Sequence, residues 1–362
     1  MNVVIACGGT GGHLFPGLAV AEVMQAKGHE VLIFISEKEI DSLAVRDYVG
    51  RFRFEKLPSV GMPRLLSRAF LGFSRGLASS LARCRRIYRE FQPNAILGMG
   101  GFTSTAPMLA GRLAGVPAFI HESNATPGKA NRLNARLARA VLLGFAECIK
   151  RFPAGTPCEV TGTPIRDSLR ARLDPHEARA LFGLPRNDLP TLLVMGGSQG
   201  AHGINQTVLN SLPAWKDRLQ VIHLTGRDDE NAAREAYARM GVTAHVAAFH
   251  HRMQEAYAAA DFAIARSGAA SLSELAFFGL PSLLIPYPVA ADDHQTLNAQ
   301  IFTEAGAALS IIEKDATGET LAGIVLDVVK NPVRLAEMSA KSRALSPADA
   351  AARVVETIEK RC

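Results

Sequence analysis

The stretch Val3-Val4-Ile5-Ala6-Cys7-Gly8-Gly9-Thr10-Gly11-Gly12-His13 decides the fold. An unbroken apolar run without polar alternation is the pattern of a strand covered on both faces. The glycines after it are the pattern of a tight strand-to-helix turn. The stretch has an internal echo in Leu192-Leu193-Val194-Met195-Gly196-Gly197-Ser198-Gln199-Gly200-Ala201. Gly8 and Gly196 lie 188 residues apart in a chain of 362. Two Rossmann-like halves are therefore expected, each opening on a Gly-rich turn. The seam is expected in the turn-rich Thr161-Gly162-Thr163-Pro164, giving domains 1–163 and 164–345.

Working outward, the same kind of buried run recurs at Val31–Ser36, Ala95–Gly98, Ala118–His121, Val141–Leu143, Val221–Leu224, Ala263–Ala265 and Ser282–Ile285. Helical stretches lie between them, among them Gly17–Lys27 and Ala130–Arg139. Strand–helix alternation of this kind implies α/β architecture with doubly wound parallel sheets. Composition agrees: 48% hydrophobic and 20% charged residues describe an ordinary globular chain. The five cysteines (7, 84, 148, 158 and 362) have no metal-type spacing, which suits a reducing compartment better than a disulfide framework. The start of the chain does not read as a signal peptide, and the most apolar stretch, Ala95 to Ile120, is interrupted by glycines, threonines and Arg112. A soluble protein, or one lying on a membrane surface, is expected.

Three Gly-rich turns follow expected strands: Gly8–His13, Gly98–Gly101 and Gly196–Ala201. Glycine lets the backbone approach a ligand, and the helix behind it offers free N–H groups and its positive end to an anion. A phosphorylated ligand follows. The dinucleotide fingerprint fails because Leu14 stands where its last glycine belongs, and the Walker spacing is absent. Redox cofactors and kinase chemistry are both disfavoured, and a nucleoside diphosphate remains.

At this point the motifs resemble a specific family. Gly8–His13 with Phe15-Pro16-Gly17-Leu18-Ala19 looks like the opening of the bacterial cell-wall glycosyltransferases known as MurG. The likeness continues through Leu97–Gly101, His121-Glu122-Ser123-Asn124, Gly162–Arg166, Gly196–Ala201, Arg266-Ser267-Gly268-Ala269 with Glu274, and Asp293-His294-Gln295 with Asn298-Ala299. It is colinear over about residues 3–345. The resemblance implies a GT-B fold, two Rossmann-like domains facing across a cleft, with a helix at about 346–362 returning to the first. It implies transfer of N-acetylglucosamine from UDP-GlcNAc to the undecaprenyl-pyrophosphate-linked muramyl pentapeptide, lipid I, giving lipid II. The membrane's cytoplasmic face would be its place.

Residue roles follow the same resemblance. Transfer at an anomeric carbon needs a base for the acceptor hydroxyl and positive charge for the departing diphosphate. His13 is the base candidate, since an imidazole titrates near neutrality; the alternative is that it shapes the loop or touches the lipid pyrophosphate. Thr10, Gly11 and Gly12 belong to the donor set. Arg166 and Ser198 resemble diphosphate contacts, a guanidinium and a turn acting without a metal. Glu274 resembles a ribose ligand, its carboxylate matched to a vicinal diol, with Ala269 beside it. Asn124 and Gln295 resemble sugar-side amides, able both to donate and to accept. No cofactor or metal ion is expected, and the adjacent His250-His251 do not make a metal pair.

Three residues depart from the family pattern. His294 precedes Gln295 where two glutamines often stand, Phe102 replaces a tyrosine, and His250 stands where an aliphatic residue often lies against uracil. A backbone contact from position 250 would survive that change.

Residues 61–90 carry seven arginines (64, 68, 75, 83, 85, 86 and 89) against Glu90, a net +6 equal to that of the whole chain. On a helix, Arg64, Arg68, Arg75, Arg86 and Arg89 share one side, opposite Leu66, Phe70, Phe73, Leu77, Leu81, Tyr88 and Phe91. Either the apolar side packs on the first sheet beneath solvated arginines, or the segment attracts an anionic membrane surface. Nucleic acid fits less well, because no aromatic stacking pattern interleaves the arginines. Rival functions are a transferase with another lipid acceptor such as diacylglycerol, a UDP-GlcNAc epimerase, and a non-catalytic binding module.

Overall fold

In a computed structural model, the described residues are 1–38, 41–42, 45–58, 68–197, 200–290 and 293–362, with backbone alone at 68–70. They divide into two compact units, Met1–Arg166 with Asp349–Cys362, and Asp167–Ala348.

The first unit is built on β1 (Asn2–Ala6), β2 (Glu30–Ser36), β3 (Arg53–Leu57), β4 (Ala95–Gly98), β5 (Ala118–Glu122), β6 (Ala140–Leu143) and β7 (Cys158–Val160). Their order is β3-β2-β1-β4-β5-β6-β7, all parallel, with Val3 opposite Val31 on one side and Ala95 on the other. Alternation along β1 divides its side chains between two cores. Val3, Ile5 and Cys7 join Leu14, Leu18 and Ala21 of the helix Gly11–Ala26 and Val354, Val355 and Ile358 of the helix Ala350–Arg361. Val4 and Ala6 join Cys84, Ile87 and Tyr88 of the helix Arg68–Phe91 and Met108 of the helix Thr105–Ala114. Each fully buried side chain of this size is worth about 1.5–3 kcal/mol, so the C-terminal helix is an integral part of the first core.

That arrangement decides the apolar side of the helix Arg68–Phe91. Ile87 and Tyr88 are buried and Leu77, Leu81 and Phe91 half-buried, so the stripe faces the chain's own sheet. Arg75, Arg85, Arg86 and Arg89 are exposed, while Arg83 pairs with Glu55 at 3.0 Å. Leu66 and Arg64 lie outside the described residues.

The second unit contains β8 (Thr191–Met195), β9 (Gln220–Leu224), β10 (Ala244–Ala247), β11 (Phe262–Ala265), β12 (Ser282–Leu284) and β13 (Ala308–Ser310), in the order β10-β9-β8-β11-β12-β13 and again parallel. Its core holds Trp215, the chain's one tryptophan, with Leu192, Val194, Val208, Leu212 and Phe262.

A polar chain runs through that core. His223 of β9 meets the Tyr237 hydroxyl at 3.1 Å and Asn205 Oδ1 at 3.0 Å, and Asn205 Nδ2 donates to Asp229 at 2.7 Å. Since Asn205 presents its oxygen to Nε2, that nitrogen carries the proton and Nδ1 accepts from tyrosine. Burial pushes the His223 imidazole down to about 3. An unfolded histidine titrates near 6.5, so between these values the unfolded chain binds the extra proton and stability falls as pH falls. In urea unfolding followed by Trp215 fluorescence, His223→Asn is expected to flatten the loss of stability between about pH 6.5 and 4. A slope equal to the parent's would exclude His223 as its source.

Candidate active site

In both sheets the strand order reverses beside the opening strand, between β1 and β4 and between β8 and β11. Ligands of such sheets bind at this switch, outside the carboxyl ends of the strands.

In the first unit two Gly loops flank the switch. The helix Gly11–Ala26 starts six residues earlier than its apolar pattern suggests, with Thr10 as its N-cap, so His13 belongs to the first turn. Thr10 Oγ1 lies 3.2 Å from His13 Nδ1. Across the switch, Gly100 and Gly101 have φ of +111° and +69°, and a Cβ on Gly100 would stand 2.8 Å from His13 Nε2. The second loop is glycine because the imidazole needs that space. His121 at the end of β5 is buried, its Nε2 2.9 Å from the Gly162 carbonyl; burial lowers its pKa, and nearby His13 lowers it further. Glu122 organises the next loop, its carboxylate accepting from Asn124 N and Nδ2, Gly128 N and Asn131 Nδ2 at 2.9–3.0 Å. Asn124 is thus held by its amide nitrogen.

Arg166 ends the first of this unit's two segments, its guanidinium carbon 4.0 Å from the centre of the Phe15 ring. This cation–π contact sets it on the helix that carries His13. Phe102 follows the second loop and packs edge-on against Phe73, with ring centres 6.0 Å apart. Thr10, Gly11, Gly12, His13, Asn124 and Arg166 all belong to the first unit.

In the second unit Ser198 lies outside the described residues. Gly200, at φ +77°, packs so closely that a Cβ would meet the Thr225 carbonyl. Ala269 opens the helix Ala269–Phe278, and Glu274 lies within it, accepting at 2.6 Å from the Tyr257 hydroxyl. Gln295 accepts from Tyr287 N at 3.0 Å, and its backbone carbonyl accepts from Ser267 Oγ at 2.8 Å. His250 Nε2 lies 3.0 Å from Glu255, a carboxylate that also pairs with Arg252, and its ring packs on Phe182. Its side chain is engaged within its own unit.

Three residues have supporting roles that the linear motifs do not show. Tyr257 stands 17 positions before Glu274, and Glu122 reads as an ordinary member of its tetrapeptide. Arg266 opens a quoted motif, yet its role is visible only in three dimensions: its nearly buried guanidinium donates to the Ile285 and Pro286 carbonyls and pairs with Glu313 at 2.6 Å. Among the described residues no cluster of three or more His, Cys, Asp or Glu side chains could hold a metal ion, and no helix is long and apolar enough to cross a membrane.

Known proteins share this arrangement. Residues 3–143 match the glycosyltransferase family 28 N-terminal domain and residues 191–354 its C-terminal domain. Proteins named UDP-N-acetylglucosamine–N-acetylmuramyl-(pentapeptide) pyrophosphoryl-undecaprenol N-acetylglucosamine transferase are similar throughout. That of Geobacter metallireducens is 38% identical, covering 98% of this chain and 97% of its own. That of Syntrophotalea carbinolica is 39% identical, covering 100% and 99%. The chain belongs to the MurG family. The crystal structure of Acinetobacter baumannii MurG superimposes with a TM-score of 0.77 at 28% identity, covering 99% of each chain, and the fold is GT-B. A UDP-GlcNAc 2-epimerase from Neisseria meningitidis reaches a TM-score of 0.71 at 14% identity, a likeness of fold alone.

Proposed function

We propose that the chain transfers N-acetylglucosamine from UDP-GlcNAc to the muramyl 4-hydroxyl of lipid I, forming lipid II for peptidoglycan synthesis. The observation that carries this is full-length identity of 38–39% to relatives named for that transfer. The epimerase reading rests on fold likeness only.

His13 takes the proton of the acceptor hydroxyl as its oxygen bonds to the anomeric carbon. The bond from that carbon to the β-phosphate oxygen breaks, inverting the centre, and UDP leaves with the electron pair. The guanidinium of Arg166 and the N-terminal end of the helix His202–Trp215 offset the charge gathering on the diphosphate. Glu274 takes the ribose hydroxyls, while Gln295 and Asn124 take the sugar. In this reading the cation of Arg166 does the work that a metal would otherwise do.

Incubation with UDP-GlcNAc and a lipid I analogue, followed by mass spectrometry, tests the reaction. The expected product is heavier by one N-acetylhexosamine, with UDP released and the rate unchanged in EDTA. Transfer to diacylglycerol alone would overturn the acceptor, and epimerised donor without acceptor would overturn the class.

The membrane contact is electrostatic in this reading, because the apolar stripe of the helix Arg68–Phe91 is spent on its own sheet. Each basic residue near an anionic bilayer contributes about 1 kcal/mol. The triple variant Arg85→Glu, Arg86→Glu, Arg89→Glu is expected to lose at least about a hundredfold in affinity for phosphatidylglycerol vesicles, with turnover on a soluble acceptor unchanged. Equal vesicle binding would exclude this face.

A further inference from the structure

The first Gly loop is held by a side chain of its own unit. A Gly-rich turn at the end of an opening strand forms a concave nest of N–H groups that takes an anion. In the first unit one N–H of that turn, Gly9 N, is taken from within. Asp41, 1% exposed, accepts from Gly9 N at 2.7 Å, from Ser36 N at 3.0 Å and from Ser36 Oγ, all at Oδ2. Gly9 has φ +111°, a conformation that glycine adopts readily, and Lys38 Nζ reaches its carbonyl at 3.3 Å. The turn is thus gripped at both its N–H and its C=O. The second carboxylate oxygen of Asp41 is buried without a partner among the described residues.

We infer that Asp41 is a positioning residue whose carboxylate occupies the Gly9 N–H as an internal anion, fixing the first loop so that Thr10 and His13 are aimed at the acceptor. A buried carboxylate with three donors is a rigid anchor, since charge-assisted bonds are short and directional. It reaches the loop from five residues beyond the end of β2, 32 residues from Gly9. This rests on His13 acting as the base.

Asp41→Asn keeps the shape and removes the charge, placing an amide where the anion was. It is expected to lower kcat at least thirtyfold while the Kd for UDP changes less than twofold. Ser36→Ala, which removes one donor and leaves the carboxylate, is expected to lower kcat three- to tenfold with the same unchanged Kd. A merely structural role would move melting temperature and UDP affinity together with kcat. Turnover of Asp41→Asn within threefold of the parent overturns the inference, as does a UDP Kd that rises in step with the loss of kcat. Should Asp41→Asn fail to fold, Ser36→Ala decides, and an unchanged kcat there overturns the inference equally. His13→Ala measured alongside separates the two ideas. If it retains turnover while Asp41→Asn loses it, the base assignment falls and the loop anchor stands; if it loses turnover and Asp41→Asn does not, the anchor alone falls.

Discussion

His13→Ala is expected to lower kcat by a hundredfold or more while leaving the Kd for UDP within twofold. General-base assistance by a positioned side chain contributes about 10²–10⁴ in rate, and the imidazole is positioned from both sides. Thr10 Oγ1 lies 3.2 Å from Nδ1, and the Gly100 backbone is close enough to Nε2 that a Cβ would stand 2.8 Å away. Both ring nitrogens therefore have defined surroundings, and a proton taken at one can be balanced at the other. The proposed ribose and sugar ligands Glu274 and Gln295 lie in the second unit, and the proposed diphosphate contact Arg166 rests on Phe15 rather than on His13, so alanine at 13 should leave UDP binding intact. Loss of kcat with unchanged UDP affinity is the pattern of an interaction made only in the transition state. Single-turnover transfer to a lipid I analogue, with UDP binding by calorimetry, reads both quantities. A kcat within threefold of the parent would remove His13 from the chemistry and leave it a loop residue.

What was legible in the chain, and what was not, has a physical pattern. The strands readable as apolar runs are the inner ones: β1, β2, β4, β5 and β6 in one sheet, β8, β9, β11 and β12 in the other. An inner strand of a parallel sheet is covered on both faces and reads as continuous Val, Ile, Leu and Ala. The four strands without such a signal, β3, β7, β10 and β13, are the four sheet edges. Arg53–Leu57 carries Arg53, Glu55 and Lys56, and Cys158–Val160 is half-exposed, because an edge need not be apolar on both faces. The candidate site divides in a similar way. Glycine loops are legible because only a few residue types tolerate their geometry, and the histidine proposed as base at the end of one loop is legible with it. The carboxylate pairings behind the candidate site are not. Asp41 reaches Gly9 across 32 positions, and Tyr257 reaches Glu274 across 17. Neither spacing obeys a helix or strand period, so pairing of this kind appears only once the chain has folded. The amphipathic segment was ambiguous for a different reason. A helix resting on a sheet and a helix resting on a bilayer bury the same kind of stripe, and only the neighbours of Ile87 and Tyr88 tell them apart.

Glu274→Ala should weaken UDP-GlcNAc binding about a hundredfold and leave kcat at saturating donor within a few fold. Each hydrogen bond to a charged group is worth about 1.5–3 kcal/mol, and loss of a carboxylate shared by two ribose hydroxyls converts to about two factors of ten. Tyr257 donates to Oε2 at 2.6 Å and so fixes the carboxylate before the donor arrives. Tyr257→Phe should therefore cost a smaller factor, about three- to tenfold, by loosening Glu274 without removing it. Because the contact is made equally in ground and transition states, the loss should appear in KM and hardly in kcat. The sharpest reading comes from the donor itself. The parent should discriminate strongly between UDP-GlcNAc and its 2′-deoxyribose analogue, and Glu274→Ala should accept the two alike, since the group that told them apart is gone. If the variant still prefers the ribose form by the parent's factor, the diol is held by some other side chain. Glu274 would then be left as the partner of Tyr257 inside its own unit.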